Sequence, residues 1–147
     1  MAGLDFAKEG QLLETLLGSC VGIVLWDRAR KHGALAHIML SDSAGRSGSV
    51  GKYADTAIPA MIQQLRSWGS LPSDLVSKIA GGATMFGSRT ANDVGEKNIQ
   101  AVRAHLKRFG VRIVAEHIGG TQGRVIRFNP ADGSVQVTIA RNVVAVL

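Results

Sequence analysis

Two short apolar segments, separated by a polar and basic stretch, constrain the fold more than any other feature of this sequence. Residues 21–26 (VGIVLW) and 34–40 (ALAHIML) each have the length of a β-strand, and the first is rich in β-branched residues. Residues 27–33 between them are polar and basic and end in a glycine, which is typical of a hairpin turn. We therefore predict that the two segments pair as neighbouring antiparallel strands.

The remaining chain predicts two long helices and further short strands. Apolar residues at helical spacing indicate a helix over residues 53–68, with Pro59 kinking it or lying close to its start. Asp93 and Glu96 have the spacing of a capping box and open a second helix, which Gly110 ends. Residues 11–17 fit a strand or a short helix, residues 41–51 a loop, and strands are predicted at 111–116, 125–128 and 135–139. Six or seven strands without strict β–α–β alternation indicate an α+β fold with a mixed or antiparallel sheet.

Composition indicates one globular domain that covers residues 1–147. The chain is 46% hydrophobic and 19% charged, and its single cysteine excludes an internal disulfide framework and a zinc site with several cysteines. The N-terminus lacks the pattern of a signal peptide, and no apolar run approaches the roughly 20 residues of a membrane span. We expect a cytoplasmic protein without membrane insertion.

Cys20 and His37 are the candidate pair for covalent chemistry. Each residue has a structural interpretation, because a lone cysteine often fills space in a core and a lone histidine is often hydrogen-bonded there. In the predicted hairpin, however, Cys20 begins the first strand and His37 lies near the end of the second, so antiparallel pairing brings them together. A thiol beside an imidazole becomes a thiolate near neutral pH, which is its activated form as a nucleophile. Thr15 and Ser19 are close enough in sequence to orient the imidazole.

Other polar residues give weaker signals. His32 lies in the basic turn and is expected in solvent, His105 lies in a helix rich in basic residues, and His117 before a glycine turn stays open. The glycine pairs at 81–82 and 119–120 match no phosphate-loop pattern and form either turns or a backbone close to substrate. No zinc-binding spacing occurs, so we expect neither metal nor cofactor.

The net charge of +6 permits nucleic acid, an anionic membrane or an acidic protein as a partner. The basic residues of the second helix are typical of a solvated face. The low aromatic content of 5% argues against a stacking surface for single strands, and no nucleic-acid partner is expected.

Six motifs occur in an order that resembles the CheD family, the chemoreceptor glutamine deamidases of bacterial chemotaxis. The resemblance extends over residues 12–137. The motifs are LLGSCVG at 16–22 with AHIML at 36–40, KYAD at 52–55, GGATMF at 81–86, GEKN at 95–98, VAExxGG at 114–120 and GR at 123–124.

This resemblance implies a layered α/β sandwich and a hydrolase that converts receptor glutamine side chains to glutamate and releases ammonia. It places Cys20 at the nucleophile and His37 at the general base, and Thr15 is the nearest match to a third catalytic residue. The cytoplasmic domain of a chemoreceptor is the implied substrate, and a CheC-type phosphatase is a further partner of some family members. The positive charge would favour docking on an acidic stretch of receptor.

Two other functions stay open. The chain can act as a non-catalytic binding module that holds a receptor or a CheC-type phosphatase. It can also act as a receptor methyl-ester hydrolase, because the same thiol and imidazole can attack an ester. Replacing Cys20 separates the first alternative from catalysis, since a binding module would keep its signalling role without the thiol.

Overall fold

The computed structural model describes residues 3–85 and 93–147, which form nine strands and two α-helices. The strands are β1 (Leu4–Lys8), β2 (Leu13–Leu17), β3 (Val21–Asp27), β4 (His32–Ile38), β5 (Leu75–Gly81), β6 (Arg112–Ile118), β7 (Arg124–Asn129), β8 (Ser134–Ile139) and β9 (Asn142–Val146). The helices are α1 (Ala54–Ser67) and α2 (Val94–Arg108). Short 3₁₀ turns occur at Val50–Lys52 and Pro72–Asp74.

The strands form two sheets. A mixed five-stranded sheet has the order β1-β4-β3-β5-β6, in which only the β5–β6 pair is parallel. An antiparallel four-stranded sheet has the order β2-β7-β8-β9. The two helices pack on one face of the five-stranded sheet and the four-stranded sheet packs on the other. The predicted layered α+β fold is therefore confirmed, and the structure shows that it has three layers.

The β3–β4 hairpin lies inside the five-stranded sheet and is buried on both faces. Val21, Ile23 and Leu25 of β3 belong to the core shared with the helices. Val24 of β3 and Leu35 of β4 belong to the core between the two sheets. A strand covered on both sides cannot alternate apolar and polar residues, which explains the continuous apolar runs in the sequence.

The predicted hairpin and helices are confirmed. Its two strands pair in register from Val21 opposite Ile38 to Asp27 opposite His32. Pro59 lies within α1. The side chain of Asp93 accepts a hydrogen bond from the Glu96 amide and so caps α2. Residues 11–17, which fitted either a strand or a helix, contain β2.

The predicted number of strands, six or seven, is wrong, because the described residues contain nine. Two of the strands that the sequence did not predict, β1 and β9, are short and lie at sheet edges. Both have partly exposed residues on both sides, so neither shows a continuous buried run. Their pairing partners, rather than their own sequences, make them strands.

The prediction that His32 is exposed to solvent is also wrong. The two strands continue to Asp27 and His32, so the turn is shorter than the polar stretch suggested. His32 is only 5% exposed, and its Nε2 lies 2.6 Å from the hydroxyl oxygen of Ser70. That hydroxyl donates to the Asp27 carboxylate at 2.5 Å. The His32 ring also packs against the ring of Trp68 at the end of α1.

No α-helix in the described residues has both the length and the apolar composition that a membrane crossing requires.

Candidate active site

Cys20 and His37 lie at the same end of the β3–β4 hairpin. Gly22 is directly opposite His37 in the ladder, and Cys20 comes two residues before Gly22, immediately before β3 begins. Cys20 is therefore a diagonal neighbour of His37, and such neighbours have Cα atoms roughly 7–8 Å apart, within reach of long side chains. The predicted proximity of the two strand ends is confirmed.

Both residues lie on the side of the five-stranded sheet that faces the four-stranded sheet. Cys20 is half-buried and packs against the core between the sheets. His37 shares its strand face with Leu35, which belongs to the same core, because side chains alternate along a strand. Gly22 provides room here, since a Cβ atom at this position would lie 2.7 Å from Cδ1 of Ile126 on the four-stranded sheet. The absence of a side chain at Gly22 lets the two sheets approach beside His37.

Thr15 contacts His37 from the opposite sheet. Its Oγ1 lies 2.8 Å from Nδ1 of the His37 ring. Thr15 is on β2, on the same strand face as Leu13 and Leu17, which both pack into the core between the sheets. This contact leaves Nε2 as the ring nitrogen available for a proton exchange with another group.

Burial disfavours the charged forms of both the thiol and the imidazole. Desolvation raises the pKa of the Cys20 thiol above its ordinary range. Desolvation also lowers the pKa of the His37 imidazole below its ordinary range. These directions favour a neutral thiol and a neutral imidazole in the free protein, rather than the thiolate expected from the sequence. An imidazole in this state can accept a proton at the moment when the thiol reacts.

The turn that carries Cys20 is held through its carbonyl groups. The Gly18 oxygen accepts from the Ala83 amide at 3.0 Å, and the Cys20 oxygen accepts from the Gly82 amide at 2.8 Å. The Ser19 oxygen accepts from Nδ2 of Asn98 at 3.3 Å. Within the described residues, no hydrogen bond uses the amide groups of Ser19 and Cys20. Ser19 therefore contributes its backbone, and its hydroxyl does not contact His37 as the sequence had suggested.

The two glycine pairs join each other beside this turn. The Gly119 amide donates to the Gly81 carbonyl at 2.9 Å, and the Thr84 amide donates to the Gly120 carbonyl at 2.9 Å. The pair at 81–82 also contacts the Cys20 turn through Gly82. These contacts favour the interpretation of both pairs as turns that support the Cys20 segment. Phe86 and Gly87, which continue the first glycine motif, lie outside the described residues.

Buried Arg124 fixes the second glycine turn. Its guanidinium donates to the carbonyl oxygens of His117 and Gln122, at 2.8 and 3.3 Å, and to that of Gly119. It also lies 2.8 Å from Nδ1 of the His117 ring, which must accept this hydrogen bond. Burial and the nearby positive charge of Arg124 lower the pKa of His117. His117 thus has a structural role in the described residues.

An open cleft of about 420 Å³ gives access to the imidazole. It lies between the edge strands β1 and β2 of the two sheets. His37 and Thr15 line it together with apolar and acidic residues, namely Gly3, Asp5, Leu12, Leu13, Glu14 and Leu35. A side chain that enters this cleft can therefore reach the His37 ring. In residues 3–85 and 93–147, no three histidine, cysteine or acidic side chains are grouped as metal ligands would be.

Asn98 is a site residue to which the sequence analysis assigned no role. It is 1% exposed and lies on the buried face of α2 beside Ile99 and Val102. The sequence pattern of α2 could have identified Asn98, because a polar residue on an otherwise apolar helix face requires a hydrogen-bond partner. Its partners were not predictable, since both are carbonyls from distant parts of the chain.

Comparison with known proteins shows the family to which the chain belongs. The family model described as "CheD chemotactic sensory transduction" matches residues 39–139. This match begins two residues after His37, so it does not include the three predicted catalytic residues.

Longer matches occur with curated relatives. The protein named "Probable chemoreceptor glutamine deamidase CheD" from Methanococcus vannielii is 47% identical over 139 residues, which are 93% of this chain and 90% of the relative. The "Chemoreceptor glutamine deamidase CheD" of Thermotoga maritima is 42% identical over 128 residues, which are 87% of this chain and 81% of the relative.

A solved structure has a similar fold. The crystal structure of Bacillus licheniformis hypothetical protein YfiH aligns with a TM-score of 0.51 and 15% identity, and covers 75% of this chain and 47% of that protein. At this identity the likeness concerns the fold alone. The match to the family model and the sequence identity of 42–47% to the curated relatives establish that this chain belongs to the CheD family.

Proposed function

We propose that this protein is a glutamine deamidase that hydrolyses the side-chain amide of specific glutamines in the cytoplasmic domain of a chemoreceptor. Relatives at 42–47% identity carry that name. The observation that carries the proposal is the hydrogen bond between Thr15 and His37, on a histidine that is a diagonal neighbour of the chain's one cysteine. A nucleophile, a base and a group that orients the base are the parts that thiol catalysis needs.

In the proposed mechanism, His37 is the general base and Cys20 the nucleophile. The Nδ1–H of His37 donates to Thr15, so the lone pair of Nε2 accepts the thiol proton of Cys20. The sulfur then forms a bond to the amide carbon of the glutamine, and the carbonyl oxygen becomes an oxyanion. When the carbon–nitrogen bond breaks, Nε2 returns its proton to the departing nitrogen, which leaves as ammonia. A thioester between Cys20 and the substrate remains.

Hydrolysis of the thioester completes the cycle. A water molecule gives one proton to Nε2 of His37, and its oxygen attacks the thioester carbon. The carbon–sulfur bond breaks, the proton returns to the Cys20 sulfur, and the substrate leaves as glutamate. One water is consumed and one ammonia is released for each glutamine, and no redox step occurs.

The oxyanion needs hydrogen-bond donors near the Cys20 sulfur. The amide groups of Ser19 and Cys20 supply them in this proposal, because the hydrogen bonds that join this turn to the other described residues use its carbonyls and not these amides. Removal of one oxyanion-hole donor from a serine protease lowers kcat by about 10²–10³.

Four further features complete the proposal. Residues 1–147 form one domain, and the protein works in the cytoplasm. A CheC-type phosphatase as partner stays a prediction of the family resemblance. Docking on an acidic stretch of receptor requires that association slow down as salt is added, since screening weakens steering by charge.

The test is deamidation of a purified receptor cytoplasmic fragment followed by mass spectrometry. We expect a mass gain of about 1 Da at each converted glutamine, and its loss in Cys20→Ala and in His37→Ala. His105→Ala, a change on α2 away from the hairpin end, is the matched control and should keep activity.

Two results would contradict the proposal. A wild-type protein that binds the receptor fragment without any conversion would act as a binding module. Methanol release from a methylated receptor, without conversion of glutamine, would assign the site to ester hydrolysis.

A further inference from the structure

We propose that Asn98 is a positioning residue of the deamidase, and that its carboxamide holds the Cys20 turn and the end of the His37 strand in one geometry. The inference rests on the proposed function. Its basis is a pair of hydrogen bonds made by one buried side chain, and it assigns Asn98 no contact with substrate.

The two hydrogen bonds start from the same nitrogen. Nδ2 of Asn98 donates to the carbonyl oxygen of Met39 at 3.0 Å and to that of Ser19 at 3.3 Å. Ser19 immediately precedes Cys20, and Met39 follows His37 by two residues. One amide group therefore uses both of its hydrogens to join the two segments that carry the proposed catalytic pair.

The sheet itself does not make this connection. The β3–β4 ladder ends with Val21 opposite Ile38, one residue before Cys20 and Met39 would pair. The amide of Met39 donates instead to the carbonyl of Lys52, and the carbonyl of Cys20 accepts from Gly82. The chain segments thus separate just beyond the Val21–Ile38 pair, at Cys20 and Met39, and Asn98 bridges them at that point.

The position of α2 makes the bridge possible. Gly95, one turn before Asn98, lies so close to the β5 end that a Cβ atom there would be 2.6 Å from the Gly82 carbonyl oxygen. This close approach brings the first turns of α2 against the Cys20 segment. Asp93 fixes the start of the helix by accepting a hydrogen bond from the Glu96 amide.

Asn98 is costly for stability. Its Oδ1 is buried and has no hydrogen-bond partner within the described residues. An unpaired buried acceptor opposes folding, so the carboxamide is not the side chain that packing alone would favour. Its two donors, rather than its acceptor, account for its place in the structure.

The test compares Asn98→Asp and Asn98→Leu with the wild type in the deamidation assay. The aspartate keeps the shape and removes both donors, and the leucine removes all polarity. We expect kcat to fall roughly 10- to 100-fold in both variants, as small misplacements of reacting groups do, with KM within about twofold of wild type. Gln100→Glu makes the same amide-to-acid change on an exposed part of α2 and should keep kcat.

Labelling of the chain's only cysteine gives a second measurement that needs no receptor. We expect iodoacetamide to alkylate Cys20 at a changed rate in both Asn98 variants and at the wild-type rate in Gln100→Glu. Asn98→Ser, which retains one donor, should recover part of kcat and covers the case in which the other variants do not fold.

The outcomes separate the two proposals. If folded Asn98 variants match wild type in kcat and in alkylation rate, Asn98 has only a structural role and this inference is wrong. If the wild type does not deamidate, the proposed function fails. A changed alkylation rate in the Asn98 variants would then still support positioning of Cys20.

Discussion

Thr15 and His37 belong to different sheets, and a 2.8 Å hydrogen bond between their side chains joins the two layers. Thr15 lies on β2, an edge strand of the four-stranded sheet, whereas His37 lies on β4 of the five-stranded sheet. The orientation of the imidazole therefore depends on how the sheets pack. A change that shifts one sheet against the other would disturb the proposed base without touching it directly.

Thr15→Val tests this contact. Valine has nearly the same shape but cannot hydrogen-bond, so the His37 ring loses the partner that orients Nδ1. We expect kcat to fall by about 10- to 100-fold, equivalent to the loss of a buried hydrogen bond worth about 1–3 kcal/mol. Thr15→Ser keeps the hydroxyl and should retain most of the activity. Equal losses in the two variants would assign Thr15 to packing alone.

The pH dependence of deamidation tests the state of His37. The imidazole must be neutral to accept a proton, and burial holds its pKa below the ordinary value. We therefore expect the acid limb of kcat/KM to lie below pH 6.5, the ordinary value being about 6.5. Circular dichroism at each pH provides the folding control. An acid limb at or above pH 6.5 would contradict the burial argument.

Gly81→Ala tests the support of the Cys20 turn. Gly81 has φ = +101°, and a Cβ atom there would collide with the Cys20 carbonyl oxygen. Gly110 also has positive φ, +73°, but has open space around it. We expect Gly110→Ala to cost about 1–2 kcal/mol in unfolding free energy and to keep kcat. Gly81→Ala should cost more and should lower kcat. If Gly81→Ala and Gly110→Ala change kcat equally, the steric clash at residue 81 does not disturb the position of Cys20.

The buried cluster of Asp27, Ser70 and His32 predicts loss of stability in acid. Burial lowers the pKa of His32, although the charge of Asp27 raises it. Below a pH of about 6.5 the unfolded chain binds a proton at His32 that the folded protein does not, so stability falls as pH falls.

The measurement is Tm between pH 8 and 5. His37 and His117 act in the same direction, because burial lowers the pKa of each. We expect His32→Gln to remove part of the pH dependence, and His105→Gln serves as the control for loss of a histidine. If His32→Gln leaves the slope of Tm against pH unchanged, His32 does not contribute to the pH dependence of stability.

The central hairpin was predictable because burial on both faces forces a continuous apolar run. The capping residue Asp93 was predictable for a local reason as well, since its partner is only three residues away. The placement of Cys20 and His37 at the same end of the hairpin followed from the hairpin alone, because strands of a hairpin have a fixed direction.

Residues with distant partners were not predictable. His32 looked like a turn residue, and its burial depends on Ser70 and Trp68, which follow α1. The edge strand β9 takes its conformation from pairing with β8, and its own valines are largely exposed. Asn98 belongs to the GEKN motif at residues 95–98, but its hydrogen-bond partners Ser19 and Met39 are known only from the folded structure.

The sequence by itself determined the α+β class, the hairpin, the helices and the approach of Cys20 to His37, because each depends on periodicity or on contacts within a hairpin. It also suggested Thr15, through resemblance to a family. The tertiary structure decided which sheet Thr15 belongs to, that its hydroxyl reaches Nδ1 of His37, and that Asn98 bridges the two strand ends. These contacts depend on the packing of separate layers, in which residues far apart in sequence meet, and no local pattern encodes such distances.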